Sequence, residues 1–235
     1  MRALVLIVPL VATACSSVLG FDDFADTGRG SGTDAGSGSD DSVLHVQGTL
    51  TSWTGVAISE AGVDFADRDG HQIAAQVSTD ATGAFDVAVT KTNGAIDGYL
   101  HFTSGSYLDC YLHLPGPQTT GLQINGYLFT AGDLQGFAID GGVTTQGNTG
   151  TLLAQFAEGP GLTLKLSDGP SAGDIRYFSD TTGSVAPIAM QPATDSSGLA
   201  IAFNLQDGVY VPDKTGGSST RSYVVAPNTV VITLE

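Results

Sequence analysis

The chain has 235 residues, with 24 Asp and Glu against 8 Lys and Arg, for a formal net charge of −16. A surface this acidic repels phosphate backbones, so nucleic acid is excluded as a partner. Gly is abundant at 32 residues, and only two cysteines are present, so no disulfide framework within the body of the chain is available.

Met1-Arg2 is a short positive start, and Ala3 to Ala14 is an almost unbroken apolar run of twelve positions ending in small residues before Cys15. This is the layout of an export signal. A spanning helix needs about 20 apolar residues, so the run is too short to remain in a bilayer. Val11-Ala12-Thr13-Ala14-Cys15 resembles the lipobox of bacterial lipoproteins, although Ala12 stands where that family more often has Leu. The resemblance implies removal of residues 1–14 and lipidation of Cys15, including palmitate-type acylation, which makes a membrane the first partner. In that family an Asp after the cysteine favours the inner membrane; Ser16 here implies the outer one. The expected location is therefore the bacterial cell envelope, lipid-anchored at the outer membrane.

Residues 15–42 are expected to form a flexible acidic tether. Phe21 to Ser42 mixes Gly, Ser and Asp without apolar periodicity, and Asp22, Asp23, Asp26, Asp34, Asp40 and Asp41 face only Arg29. Such a segment buries too little surface to offset its chain entropy, and its charges extend it.

The first sandwich is expected over residues 43–118. Val43 to Leu50 alternates, with Leu44, Val46 and Leu50 on one side. Val63-Asp64-Phe65 and Ile73 to Val77 read as a hairpin about Asp67-Arg68-Asp69-Gly70. That turn does not fit a calcium loop, because Phe65 would fall at the first position and no Glu at the twelfth, so no metal site is assigned. Thr79 to Gly83 is a type I turn feeding the strand of Phe85, Val87 and Val89. Tyr99 to Phe102 and Tyr107 to Leu114 read as two strands, with Leu100, Phe102, Leu108, Cys110, Leu112 and Leu114 facing the core. Cys110 is thereby a small buried apolar residue. The other face carries Tyr99, His101, Tyr107, Asp109, Tyr111 and His113, an aromatic and hydrogen-bonding stripe and the candidate ligand-binding face. Carbohydrate or another envelope protein is the expected occupant.

Residues 119–149 are read as a connector. Thr130 to Gly142 is the one helix, with Thr130 as cap, Asp133 in the first turn, Leu134, Phe137 and Ala138 on one face, and Gly141 ending it.

The second sandwich is expected over residues 150–235, where short strands recur at turn-broken intervals from Thr151 to Leu234. Thr194-Asp195-Ser196-Ser197-Gly198 echoes Thr79-Asp80-Ala81-Thr82-Gly83, each ahead of an alternating strand, which suggests two related units. Asp195, Gly198, Gly208-x-Tyr210 and the Val230 to Leu234 strand resemble the carboxypeptidase regulatory-like domain, with Asp207 replacing its usual proline. The resemblance implies a small prealbumin-like antiparallel sandwich and an accessory role. The fold class is thus all-β: two tandem antiparallel β-sandwiches after the tether, joined by one short helix.

Catalytic chemistry is not expected. No His-x-x-Glu zinc pair occurs after His45, His71, His101 or His113. Gly169-Pro170-Ser171-Ala172-Gly173 matches a nucleophile elbow in letters, but no histidine follows Ser171. Glu60 and Glu158 are the only glutamates inside the body. The sequence therefore reads as a non-enzymatic surface binding or structural module with no cofactor. A hydrolase of polysaccharide or peptide is the competing reading.

Overall fold

The computed structural model describes residues 42–157, 160–167, 169–179, 186–214 and 221–234. The signal, Cys15 and the tether lie outside the described residues.

In chain order the strands are β1 (Val43–Ser52), β2 (Gly62–Asp67), β3 (Val77–Ser78), β4 (Ala84–Thr90), β5 (Gly98–Thr103), β6 (Asp109–His113) and β7 (Leu122–Leu128), followed by the helix α1 (Ala131–Asp140). Then come β8 (Gly150–Gln155), β9 (Leu164–Ser167), β10 (Asp174–Ser179), β11 (Ala186–Ile188), β12 (Leu199–Leu205), β13 (Gly208–Lys214), β14 (Tyr223–Val225) and β15 (Thr229–Leu234). Among the described residues the protein is all-β with one helix, as its alternating apolar residues dictate.

The chain builds one arrangement twice. In the first copy β1 lies between β4, antiparallel, and β7, parallel, while β5 lies between β2 and β6, both antiparallel. In the second copy β8 lies between β12, antiparallel, and β15, parallel, while β13 lies between β9 and β14, both antiparallel. β10 and β11 extend the second copy beyond β12. The expectation of antiparallel pairing throughout is therefore corrected at β1–β7 and β8–β15. A long excursion separates the partners in each case, and that length lets the chain return in the same direction.

The echoed turns match to the hydrogen bond. Asp80 Oδ1 accepts from the Thr82 amide and hydroxyl, and Asp195 Oδ1 accepts from the Ser197 amide and hydroxyl. Gly83 and Gly198 both adopt left-handed φ, at 79° and 65°. The Leu50 amide donates to the Gly83 carbonyl, as the Phe156 amide does to that of Gly198. Thr79 and Thr194 are both buried, and their hydroxyls accept from the Ala61 and Leu162 amides.

The two copies are fused rather than merely tethered. β15 pairs in parallel with β6 on one side and β8 on the other, so both copies share a nine-stranded sheet ordered β11-β10-β12-β8-β15-β6-β5-β2-β3. On one face of it, β4-β1-β7 covers the first half. The second half of that face is covered by α1, where Phe137 meets Trp53 at 4.9 Å between ring centroids and Phe178 at 5.6 Å. On the opposite face β14-β13-β9 covers the second half. Strand alternation feeds both cores: Ile201, Phe203, Val230 and Ile232 point to the first, and Ala200, Ala202 and Val231 to the second.

Three details differ from the sequence reading. Leu122–Leu128, inside the segment read as connector, is β7 and completes the first sandwich. The strand expected over Ile73 to Val77 is reduced to Val77–Ser78, because after the Ala66–Gln72 bridge the chain leaves the ladder and Ala74 turns into the core. In β12, Asn204 takes a left-handed φ of 59° and makes a bulge, with its amide donating to the Thr144 carbonyl and Asp174 carboxylate and its carbonyl accepting from the Gln146 amide.

α1 carries the expected cap. The Thr130 hydroxyl accepts from the Asp133 amide, and the Asp133 carboxylate accepts from the Thr130 amide, a reciprocal capping box.

Candidate functional site

The fourth quarter of the nine-stranded sheet, the outer face of β2-β5-β6, carries no layer of strands or helix among the described residues. Strand pairing sets its side chains in three rows. Asp64, His101, Tyr111 and Val231 form the middle row, and Ala66, Tyr99, His113 and Thr233 form the row toward the β5 start. Gly62 and Thr103, with Asp109 and Thr229, form the row at the other end.

Four of the six sequence-predicted residues come together here. The His101 and Tyr111 rings stack at 4.6 Å with planes 8° apart, Tyr99 meets Tyr111 at 5.7 Å, and Tyr99 meets His113 at 4.8 Å. Tyr223 of β14 closes the row edge-on against His113 at 4.7 Å. Rings stacked across neighbouring strands must stand upright from the sheet. The His101 and Tyr111 faces are spent on each other, and Tyr99 and His113 meet their neighbours tilted or edge-on. This face therefore offers phenol and carboxylate groups rather than a flat stacking platform, with the imidazoles set down among the rings.

Electrostatics follow from that packing. His101 Nδ1 lies 3.4 Å from Asp64 Oδ2, while His101 Nε2 and Thr233 Oγ1 are buried without a hydrogen-bond partner among the described residues. Burial, then the Arg68 and Arg221 charges, pushes the His113 imidazole down to about 3, so it is neutral throughout the physiological range. Burial, then the neighbouring carboxylates, raises the phenols of Tyr99 (Asp64, Asp67) and Tyr111 (Asp109, Asp64). Both stay hydroxyl donors.

The remaining two predicted residues sit at one end. Tyr107 is not on β6 but in the turn before it, where its amide donates to the Ser104 carbonyl and its ring packs against the first core. This corrects the expected strand phase: the turn consumes the residues that would have extended the alternation. Asp109 is exposed, and with Tyr107 it lines an open hollow of about 580 Å³ that also includes Glu60, Gly62 and Thr103. Sequence reasoning noted Glu60 for its rarity but had no signal that it would stand near Asp109.

Elsewhere, Asp67, Asp69 and His71 approach within 4.8 Å of one another at the β2 hairpin. Asp67 Oδ1 there accepts from the Asp69 and His71 amides, which accounts for the grouping as a turn. Cys110 is fully buried, and burial followed by the Asp109 charge pushes its thiol up. Ser171 Oγ lies 3.1 Å from the Tyr210 hydroxyl, in a structural contact at the base of β13. Among the described residues no helix is long and apolar enough to cross a membrane.

Fold and face together define an all-β double sandwich in which one quarter of the shared sheet carries no layer among the described residues. No family model matches the chain, and no curated protein matches it. Among solved structures it is similar to the TIE protein of Bacillus anthracis, at 12% identity and TM-score 0.26 over 83% of this chain and 34% of that one. It is similar to a streptococcal ancillary pilin, at 13% identity and TM-score 0.26 over 84% and 63%. It is also similar to BcpA, the major pilin subunit of Bacillus cereus, at 11% identity and TM-score 0.27 over 81% and 98%. The chain thus spans about a third of the first of these proteins and under two thirds of the second. At these identities and scores the likenesses say nothing of what this chain does.

Proposed function

We propose that this chain is a bacterial cell-envelope lipoprotein, held at the outer membrane through Cys15, whose double sandwich is a non-enzymatic binding module. The supporting observation is the quarter left bare among the described residues: three quarters of the shared sheet are covered by packed layers, and the fourth carries Tyr99, His101, Tyr111 and Asp64 side by side. A polar, ring-rich sheet face beside a hollow suits a partner of modest size, a carbohydrate or another envelope protein. The carboxypeptidase regulatory-like resemblance belongs to the same reading. Tyr210 is fully buried with its hydroxyl donating to the Gln206 carbonyl, a pin typical of sandwich corners.

The test of the address is mass spectrometry of the N-terminal peptide from a membrane fraction. A diacylglyceryl-modified Cys15 is expected, with release into solution by Cys15→Ser; an unmodified amino end at another residue contradicts it.

A hydrolase is the second reading, and the observation in its favour is that Glu60 and Asp109 line one hollow. Both are exposed, whereas a catalytic acid is kept protonated near neutral pH by exclusion of water. Appearance of new reducing ends on incubation with oligosaccharides, abolished by Asp109→Asn, would favour that reading.

A further inference from the structure

The hollow at the end of the bare face has a glycine in its lining. Gly62 lines it, at the start of β2 between β3 and β5, with a backbone that any residue could adopt. Glycine within a strand sacrifices stability, and where φ does not demand it, it marks the close approach of another group. A Cβ at position 62 would collide with the Gln76 side-chain nitrogen and lie 2.7 Å from Thr103 Oγ1. The absent side chain is what lets the Gln76 amide and the Thr103 hydroxyl close over the strand and stand together at the hollow.

Glu60, at the rim, provides an independent mark. Among the described residues it is the only one in the left-handed region, at φ 58°, that is neither glycine nor asparagine. Its amide donates to the Thr79 carbonyl, which holds the strained conformation. Gly161 takes the same place in the second copy, at φ 88° with its amide donating to the Thr194 carbonyl, so the turn demands the left-handed φ and only the first copy meets it with a side chain, a carboxylate kept at the rim despite the strain.

The lining decides the chemistry. Glu60 and Asp109 supply carboxylates, Gln76 an amide, and Ser78, Thr103 and Tyr107 hydroxyls. No lysine or arginine among the described residues lines it, which disfavours phosphate, sulfate and acidic sugars. Neither Glu60 nor Asp109 belongs to a three-residue grouping of metal-ligating side chains among the described residues. The volume falls within the roughly 300–1,000 Å³ of small-molecule sites. Carboxylates accepting from paired hydroxyls, with hydroxyls and an amide that both donate and accept, match a neutral polyhydroxylated ligand.

The position fits such a ligand as well. The Lys91 amide donates to the Ser42 carbonyl, so the chain enters beside the end of β4 and the start of β5. Glu60, Ser78 and the β5–β6 turn lie at the opposite end of the first sandwich.

Resting on the reading of the bare face as the binding surface, we infer that the hollow between Glu60 and Asp109 seats one or two units of a neutral polysaccharide at the end of the module away from its point of attachment. Glu60 and Asp109 accept from adjacent sugar hydroxyls, Gln76 and Thr103 complete the donors, and the Tyr107 ring meets a sugar C–H edge.

The experiment is retention of the full chain, purified in detergent, on an array of neutral, sialylated and sulfated oligosaccharides, followed by titration of the tightest neutral one. Wild type should retain neutral oligosaccharides and not the anionic ones. Gly62→Val and Asp109→Asn should each weaken binding at least tenfold with unchanged circular dichroism, while His45→Ala, on the exposed outer face of β1, should not. Asp109→Asn changes one exposed group and keeps the test intact if Gly62→Val impairs folding. Binding that survives both substitutions but is lost in Tyr111→Ala overturns the hollow and leaves the bare face standing. Retention of anionic oligosaccharides alone, or of none, overturns the inference.

Discussion

If the two turns are copies, alanine at Gly83 and at Gly198 should cost the same, and more than alanine at left-handed glycines with open space around them. Each takes a left-handed φ, which costs an L-residue about 1–2 kcal/mol. Each also lies against a neighbouring strand: a Cβ would strike the Leu50 carbonyl oxygen in one copy and the Phe156 carbonyl oxygen in the other. Those oxygens belong to backbone held by the Leu50–Gly83 and Phe156–Gly198 hydrogen bonds, so relief requires shifting a strand. Breaking or stretching that bond adds about 1 kcal/mol. The expected total is about 3 kcal/mol at each position. With an m-value of about 2 kcal/mol per molar, the urea midpoint falls by about 1.5 M. Gly55 and Gly94 are the internal controls, since both are left-handed with nothing within 4 Å of a Cβ. Alanine there should lower the midpoint by only about 0.5 M, from backbone strain alone. Equal losses at Gly83 and Gly55 would refute the close-approach argument. A large loss at Gly83 with a small one at Gly198 would refute the equivalence of the copies.

The folded His113 imidazole titrates near 3 and the unfolded one near 6.5, so between these values only the unfolded chain takes up the proton and stability falls as pH falls. The stability difference between wild type and His113→Gln should therefore shrink by about 2 kcal/mol from pH 6 to pH 4, measured by urea denaturation; a constant difference would mean the ring is solvated. Asn204→Ala should cost about 2–3 kcal/mol, because it strips the bulge of three hydrogen bonds and places alanine at a positive φ; a melting temperature within a degree of wild type would contradict this. Cys110 should resist thiol-reactive reagents in the native state and react on unfolding in urea; prompt native labelling would deny its burial.

What the sequence made legible was local. The alternation in Val43–Ser52 and Ala84–Thr90 announced strands with one buried face, and Thr130 with Asp133 announced the start of α1. The Thr-Asp-x-(Ser/Thr)-Gly echo announced the duplication, because an Asx-type turn with a left-handed glycine leaves a composition signal. What it hid was long-range. Parallel pairing of β6 with β15 joins residues over a hundred positions apart and leaves no mark in either strand. β7 was hidden because Asn125-Gly126 reads as a turn, yet there the Asn125 carbonyl accepts from the Thr49 hydroxyl and Gly126 admits Phe102 and Leu50. Tyr107 was misplaced by a phase argument that assumed an uninterrupted strand. The hollow was invisible because Glu60, Gly62, Gln76 and Asp109 converge only after β2, β5 and β6 are paired.

The central claim, that the bare quarter of the shared sheet is the surface that meets a partner, is tested most directly by NMR mapping. Polysaccharide extracted from the envelope of the producing cell would be titrated into the isotope-labelled chain. Shifts concentrated at Asp64, Tyr99, His101, Thr103 and Asp109 are predicted. Shifts concentrated instead at the exposed valine pair Val209 and Val224, on the outer face of β13 and β14, would contradict it.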